Sequence, residues 1–292
     1  MRRAACIDIG SNTTRLLVAD RGDRGLVEVH QERAFTRLGR GLRQTGAIAD
    51  EKIAEVVEVV LGQLARARAQ GATDLRGVAT AAVRTAANGA ELVDAIARAT
   101  GLQVEIVSEA EEARLAFVGA TAMMEDPAAA RLVGVVDVGG GSSEIVVGAA
   151  PAAISWWSSA AIGSGVLTEH HLHSDPPTPA ELDAARVEIA EALAPLRPPR
   201  PDRAVAVGGS ATSLGRLTGP VLDAPALTRA LDAMAREPAA AVGQRFAIDP
   251  QRARLLPAGL LVLEGAAGLL ATTLMVGRGG IREGVLLEAL AS

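Results

Sequence analysis

Two short stretches put acids, glycines and hydroxyls at a spacing suited to phosphate chemistry: DIGSNT at 8–13 and DVGGGSSE at 137–144. Each lies between β-branched runs, AACI and TRLLVAD in the first case, LVGVV and EIVVG in the second. Each therefore reads as the turn of a two-stranded hairpin. Consecutive backbone N–H groups in such a turn form an anion nest, and a missing Cβ lets phosphate oxygens approach the main chain. The candidate phosphate-binding residues are Gly10, Ser11, Asn12 and Thr13 in the first turn, and Gly139, Gly140, Gly141, Ser142 and Ser143 in the second. A plain hairpin that uses glycine for positive φ explains one such turn equally well. Two in one chain favour the nest. A carboxylate beside a phosphate nest would repel its ligand unless a divalent cation lay between them. Asp8, Asp137 and Glu144 thus suggest a hard, oxygen-ligated ion, Mg²⁺ or a similar cation such as Mn²⁺, held partly through water.

Two further residues carry the chemistry of attack. In SEAEEAR at 108–114, Ser108 and Glu111 are spaced as a capping box, which leaves Glu112 unused. A carboxylate at that helix start could orient and deprotonate a water for attack on a terminal phosphorus, although a solvated helix glutamate is the alternative. Arg84, in AAVRTAANG, follows a strand at the start of a helix. Its fork could hold equatorial phosphate oxygens as charge develops; the alternative is an ordinary surface ion pair. Thr80 and Asn88 flank it as weaker candidates. Arg33, Arg37, Arg40 and Arg43 form a local basic strip that either guides a polyanion or is a solvated face paired with nearby acids. In HHLH at 170–173, His170 and His173 could share a helix face, but no third ligand stands at zinc spacing.

Composition narrows the setting. At 292 residues, 49% hydrophobic and 22% charged, the chain can bury a sizeable core and is expected to hold two domains. A net charge of −5 argues against nucleic acid as a partner. The only lysine, Lys52, follows no glycine loop, which excludes a Walker A motif, and strand-like sequence after both glycine turns excludes the dinucleotide fingerprint. A single cysteine, Cys6, and an N-terminus without a long apolar stretch point to the cytoplasm. No membrane span is expected. The run AGLLVLEGAAGLLATTLMV at 258–276 contains Glu264 and three glycines, and reads as a buried helix followed by a short strand.

The elements that must position these residues repeat. The first hairpin is followed by a strand near LVEVHQERAFTRL, a helix from about Asp50 to Gln70, strand LRGVAT, a helix after AAVRTAANG, strand VEIV at 104–107, and another helix. The second half restarts with a hairpin at 132–148, a strand near 152–158, a helix at 179–194, strand AVAVGG, a helix, and a final strand and helix. The expectation is an α/β protein of two similar βββαβαβ domains, 1–120 and 121–292, facing a central cleft, with the last helix packing back on the first domain.

This plan resembles the actin, sugar kinase and Hsp70 ATPase architecture, with ribonuclease H-like domains. The ordered set DIGSNTTRLLVA, VATAAVRTAANG, SEAEEARLAF, VVDVGGGSSEIVVG, IGSGVLTEHHLHSDPPTPAEL, VGGSATSL and GGIREGVLLE resembles the exopolyphosphatase and guanosine pentaphosphate phosphatase (Ppx/GppA) family in its short two-domain form. The resemblance implies a Mg²⁺-dependent phosphatase of terminal phosphoanhydrides; the expectation is an exopolyphosphatase acting on inorganic polyphosphate, with guanosine pentaphosphate as the alternative substrate and a homodimer as one possible assembly. It points to Glu112 as the base and to Arg84 at the active site. It matches Gly208, Gly209 and Ser210 to a second-domain loop that lines the ligand site. Val166 departs from it, standing where many relatives carry a basic residue. An ATP-dependent small-molecule kinase and a non-catalytic ligand sensor of the same architecture are the competing readings.

Overall fold

The computed structural model describes residues 2–22 and 25–291. The chain divides into two compact units: unit 1 comprises residues 1–123 and 279–292, and unit 2 comprises 124–278.

Unit 1 runs β1 (Arg3–Ile9), β2 (Thr14–Gly22), β3 (Gly25–Ala34), α1 (Leu42–Thr45), α2 (Asp50–Ala69), β4 (Asp74–Ala79), α3 (Ala81–Thr85), α4 (Gly89–Thr100), β5 (Val104–Ile106) and α5 (Glu109–Ala122). Its sheet has the order β3-β2-β1-β4-β5, with β1, β4 and β5 parallel. Because side chains alternate along a strand, β1 serves two cores. Ala5, Ile7 and Ile9 pack on the side of Val56, Val60 and Leu64 of α2 and Leu92 and Ile96 of α4. Those α2 residues recur at helical spacing, so one stripe of the helix faces the sheet. Ala4 and Cys6 pack on the other side with Leu286 and Leu290. Asp8 has the same parity as Ala4 and Cys6.

Unit 2 runs β6 (Val133–Val138), β7 (Ser143–Ala149), β8 (Ala153–Ala160), α6 (Ser164–His171), α7 (Pro179–Leu193), β9 (Arg203–Val207), α8 (Gly208–Thr218), β10 (Val221–Leu222), α9 (Ala224–Arg236), α10 (Ala239–Phe246), α11 (Pro250–Ala253), α12 (Leu256–Leu270) and β11 (Leu274–Val276). Its sheet reads β8-β7-β6-β9-β11-β10. The first five strands repeat the order of unit 1, and β10 adds an antiparallel edge. The apolar run at 258–276 becomes α12, buried almost all round as a core helix, followed by β11. Among the described residues no helix is long and apolar enough to cross a membrane.

The last helix, α13 (Ile281–Ala289), belongs to unit 1. It lies close to α5: a Cβ on Gly284 would strike the backbone of Leu115, and one on Gly119 would strike the backbone of Gly280 and Gly284.

Candidate active site

In unit 1 the carboxyl ends of the three parallel strands are tied together. Thr80 N donates to Ile9 O (3.2 Å) and Val107 N to Ala79 O (3.0 Å). This end of a parallel sheet is where α/β proteins build ligand sites, since loops and helix starts converge there. The turn of residues 10–13, α3 and the start of α5 all lie at it. Arg84 on α3 and Glu112 on α5 meet: Arg84 Nη1 donates to Glu112 Oε2 at 2.9 Å and to Val107 O at 2.8 Å. Their side chains are only 18% and 12% exposed, so the pair sits in a recess rather than on a solvated face. Ser108 Oγ caps α5 by accepting from Glu111 N (3.2 Å). The expected capping box is half formed, because the Glu111 carboxylate turns instead to Arg114 at 2.6 and 2.8 Å. That ion pair holds Glu111 below its ordinary range. Adjacent glutamates thus divide the work, one tied to Arg114 and one facing Arg84.

The two glycine turns share one geometry. Gly10 N donates to Thr13 O and Gly139 N to Ser142 O, each at 3.0 Å. Neither glycine has positive φ; what each lacks is a Cβ that would press on that same carbonyl oxygen, at 3.2 and 3.0 Å respectively. Among the described residues, the amides of Ser11, Asn12, Gly140 and Gly141 donate to no carbonyl. The carbonyls are occupied from behind: Arg37 N reaches Asn12 O (3.0 Å), Gly39 N reaches Ser11 O (2.7 Å), Ser164 N reaches Gly139 O (2.9 Å) and Gly165 N reaches Gly140 O (3.0 Å). The turns present unspent donors, the arrangement an anion needs.

The acids differ. Asp8, 8% exposed, leaves Oδ1 without a hydrogen bond. Burial raises its pKa, while the nearby charges of Arg15 and Arg282 pull it back down. Arg282 is itself buried, at 5% exposure, and donates from Nη1 to Leu16 O at 3.1 Å. Asp137 and Glu144 stand directly opposite each other across the β6–β7 ladder, and Ser159 Oγ donates to Glu144 Oε1 at 2.9 Å. Gly208, at φ 83°, makes room for the Asp137 carboxylate, which any Cβ there would strike. Two neighbouring carboxylates, a cradle cleared by a glycine and hard oxygen donors fit a Mg²⁺-type ion with much of its shell left to water or phosphate. Asp8 offers the same kind of donor in unit 1.

Several expected residues are spent elsewhere. Ser143 Oγ donates to Ile162 O (2.8 Å) inside the fold. Ser210 is wholly buried, its hydroxyl so close to Gly259 that a Cβ there would sit 2.6 Å away, and it has no surface to offer a ligand. Asn88 clamps Ile48 through both backbone groups at 2.8 Å, a structural brace for the loop before α2. Gly209 lets the buried Arg252 guanidinium pack close, at 2.7 Å from where a Cβ would stand. The histidines that converge are His170 and His171 with Glu188, whereas the backbone N–H of His173 donates to Glu181 (2.9 Å). Arg15 and Arg282 were missed as counter-charges. The first was readable, because a turn of residues 10–13 puts Arg15 opposite Asp8.

The duplicated strand order, each copy headed by an acidic turn, defines an α/β protein of the actin, sugar kinase and Hsp70 ATPase type. The sequence pattern of the Ppx/GppA phosphatase family matches residues 17–292, and the chain belongs to that family. It is 40% identical over 204 residues to Exopolyphosphatase 2 of Mycobacterium tuberculosis, an alignment spanning 67% of this chain and 63% of that protein, less than two thirds of the relative's length. It is 30% identical to Exopolyphosphatase 1 of Mycobacterium leprae over 319 aligned positions, covering 99% and 90% of the two chains. The crystal structure of the Aquifex aeolicus family member superposes with a TM-score of 0.82 at 28% identity, covering 99% of this chain and 98% of that one.

Proposed function

We propose that this protein is an exopolyphosphatase that hydrolyses the terminal phosphoanhydride of inorganic polyphosphate with the help of Mg²⁺ or a similar divalent cation. The observation that carries the reading is the recessed Arg84–Glu112 pair, 2.9 Å apart, at the same strand ends as a turn with unspent amides. The names of the two mycobacterial relatives support the substrate class.

In this reading Glu112 accepts a proton from water as the water oxygen attacks the terminal phosphorus, and the bond to the bridging oxygen of the chain breaks. Arg84, free to exchange one carboxylate partner for a phosphate oxygen, takes up charge on the transferring group. The amides of Ser11, Asn12, Gly140 and Gly141 bind phosphate oxygens. Asp137 and Glu144 would hold the cation, which when bound neutralises phosphate charge. With its one cysteine buried, the protein suits a reducing cytoplasm.

The test is phosphate release from polyphosphate, guanosine pentaphosphate and ATP, side by side, for wild type and Glu112→Gln. The amide keeps shape but cannot take the proton, so kcat should fall about 10²–10⁴-fold while polyphosphate binding persists. A kcat within threefold of wild type would remove Glu112 as the base. Release confined to the pentaphosphate would move the substrate assignment to the nucleotide.

A further inference from the structure

One group of metal-capable side chains lies outside the phosphate site. His170 and His171 occupy the last turn of α6, and Glu188 sits on α7. His171 Nε2 is 2.5 Å and His170 Nδ1 3.3 Å from the same oxygen, Glu188 Oε2. The two rings meet edge to face, centroids 5.9 Å apart. One ligand atom from each of the three residues lies within 4.8 Å of the others, and among the described residues no other three His, Cys, Asp or Glu side chains converge in this way. The side chains are 29%, 23% and 27% exposed, so an ion and its water can reach them.

Two imidazoles and a carboxylate are the donor set of a borderline transition metal rather than of Mg²⁺, which prefers oxygen alone. Ligands of a tetrahedral Zn²⁺ with bonds of about 2.0–2.1 Å stand ~3.3 Å apart. The His170–Glu188 separation already has that value, and His171 needs to withdraw by less than about 1 Å. The position also suits a cation, because the C-terminal turn of a helix carries partial negative charge. We propose that His170, His171 and Glu188 bind one Zn²⁺-class ion, with water completing the shell, and that this ion staples α6 to α7. The other end of α6 is seated on the glycine turn through Ser164 and Gly165, so the staple would steady the support of Gly139 and Gly140.

The experiment is a calorimetric titration of the full chain with Zn²⁺ in excess Mg²⁺, repeated with Co²⁺ to read its visible absorption. Wild type should bind one equivalent, develop the Co²⁺ bands of a low-coordinate imidazole site, and melt at a higher temperature with Zn²⁺ present. His171→Asn and Glu188→Gln should each weaken binding at least about tenfold, since loss of even a supporting group costs that much. His173→Asn should bind as wild type does. Circular dichroism of these variants, at partly exposed positions, reports that each is folded. No saturable binding, or affinity unchanged in the His170→Asn/His171→Asn double variant, would overturn the site. Equal loss in His173→Asn would overturn the stated ligand set.

Discussion

The turn after β1 and the turn after β6 share a backbone and oppose each other in charge. Both follow the pattern D-x-G-x-x-[ST]-[ST], both close with the same 3.0 Å hydrogen bond, and both have a carbonyl covered by a glycine from the segment after the third strand, Gly39 or Gly165. One position further on they diverge. Asp8 faces Arg15 across its ladder, whereas Asp137 faces Glu144. The first turn carries its own counter-charges, Arg15 and the buried Arg282. The second sets like charges side by side, an arrangement that costs up to about 1 kcal/mol in a sheet unless something neutralises it. The nest is the common part; the proposal that Asp137 and Glu144 hold the cation rests on what differs beside it.

The widest gap between the copies should appear in metal dependence. Glu144→Gln should raise the Mg²⁺ concentration for half-maximal activity at least about tenfold, while Arg15→Gln should move it by no more than about twofold. Equal shifts would erase the proposed division. A smaller contrast concerns the residues that follow the neighbouring strands, Gly208 after β9 and Thr80 after β4. Gly208→Ala strains a φ of 83° and strikes the Asp137 carboxylate, so urea unfolding should show a loss of about 1–3 kcal/mol. Thr80→Ala should cost less. If the two cost the same, the cradle around Asp137 is not a special feature of unit 2.

A third contrast is in pH. Burial raises the Asp8 pKa above its unfolded value, so the folded state binds this proton more tightly than the unfolded chain does. In metal-free protein its contribution to stability should therefore grow as pH falls from above the raised pKa toward about 4, and level off below that. Asp8→Asn should be more stable than wild type at neutral pH and lose that gain on acidification. A slope that persists in the variant belongs to another carboxyl. The smallest expected effect comes from the segment over the first turn, where Arg37 (φ 51°) donates its amide to Asn12. The counterpart at 161–165 has no charge. Arg37→Gln with Arg40→Gln should raise KM for long polyphosphate about two- to fivefold at low salt and flatten its salt dependence. An unchanged KM would make the strip a solvated face.

Local features were legible in the sequence. The paired turns repeat a pattern within eight residues, and Glu112 stood out because Ser108 and Glu111 already accounted for the helix start. The long-range pairings were not. Arg84 meets Glu112 only because β4 and β5 are neighbours, which brings together residues 28 apart. Glu188 closes on His171 because α6 and α7 pack, and no spacing rule connects them. The burial of Ser210 against Gly259, 49 positions on, was not legible either, whereas Gly208, two residues earlier, stays at the Asp137 carboxylate. Helix α9 did carry a readable signal, with Leu227, Leu231 and Met234 at helical spacing behind the Asp223 cap, whereas α10 and α11, of eight and four residues, are too short to show a period. The long apolar stretch of α12 was readable for the opposite reason.

The return of α13 to the first sheet has a consequence for how the protein is made. Cys6, Ala4 and Leu17 lie exposed on one face of that sheet until Leu286 and Leu290 arrive to cover them. Unit 2, continuous from 124 to 278, can fold as it leaves the ribosome. At about 5–20 residues per second its synthesis takes roughly 8–30 s, and throughout that interval the half-built first sheet must keep an apolar face open. The part of the protein that is started first is finished last, so the nascent chain, rather than the mature fold, is where aggregation and chaperone capture should concentrate.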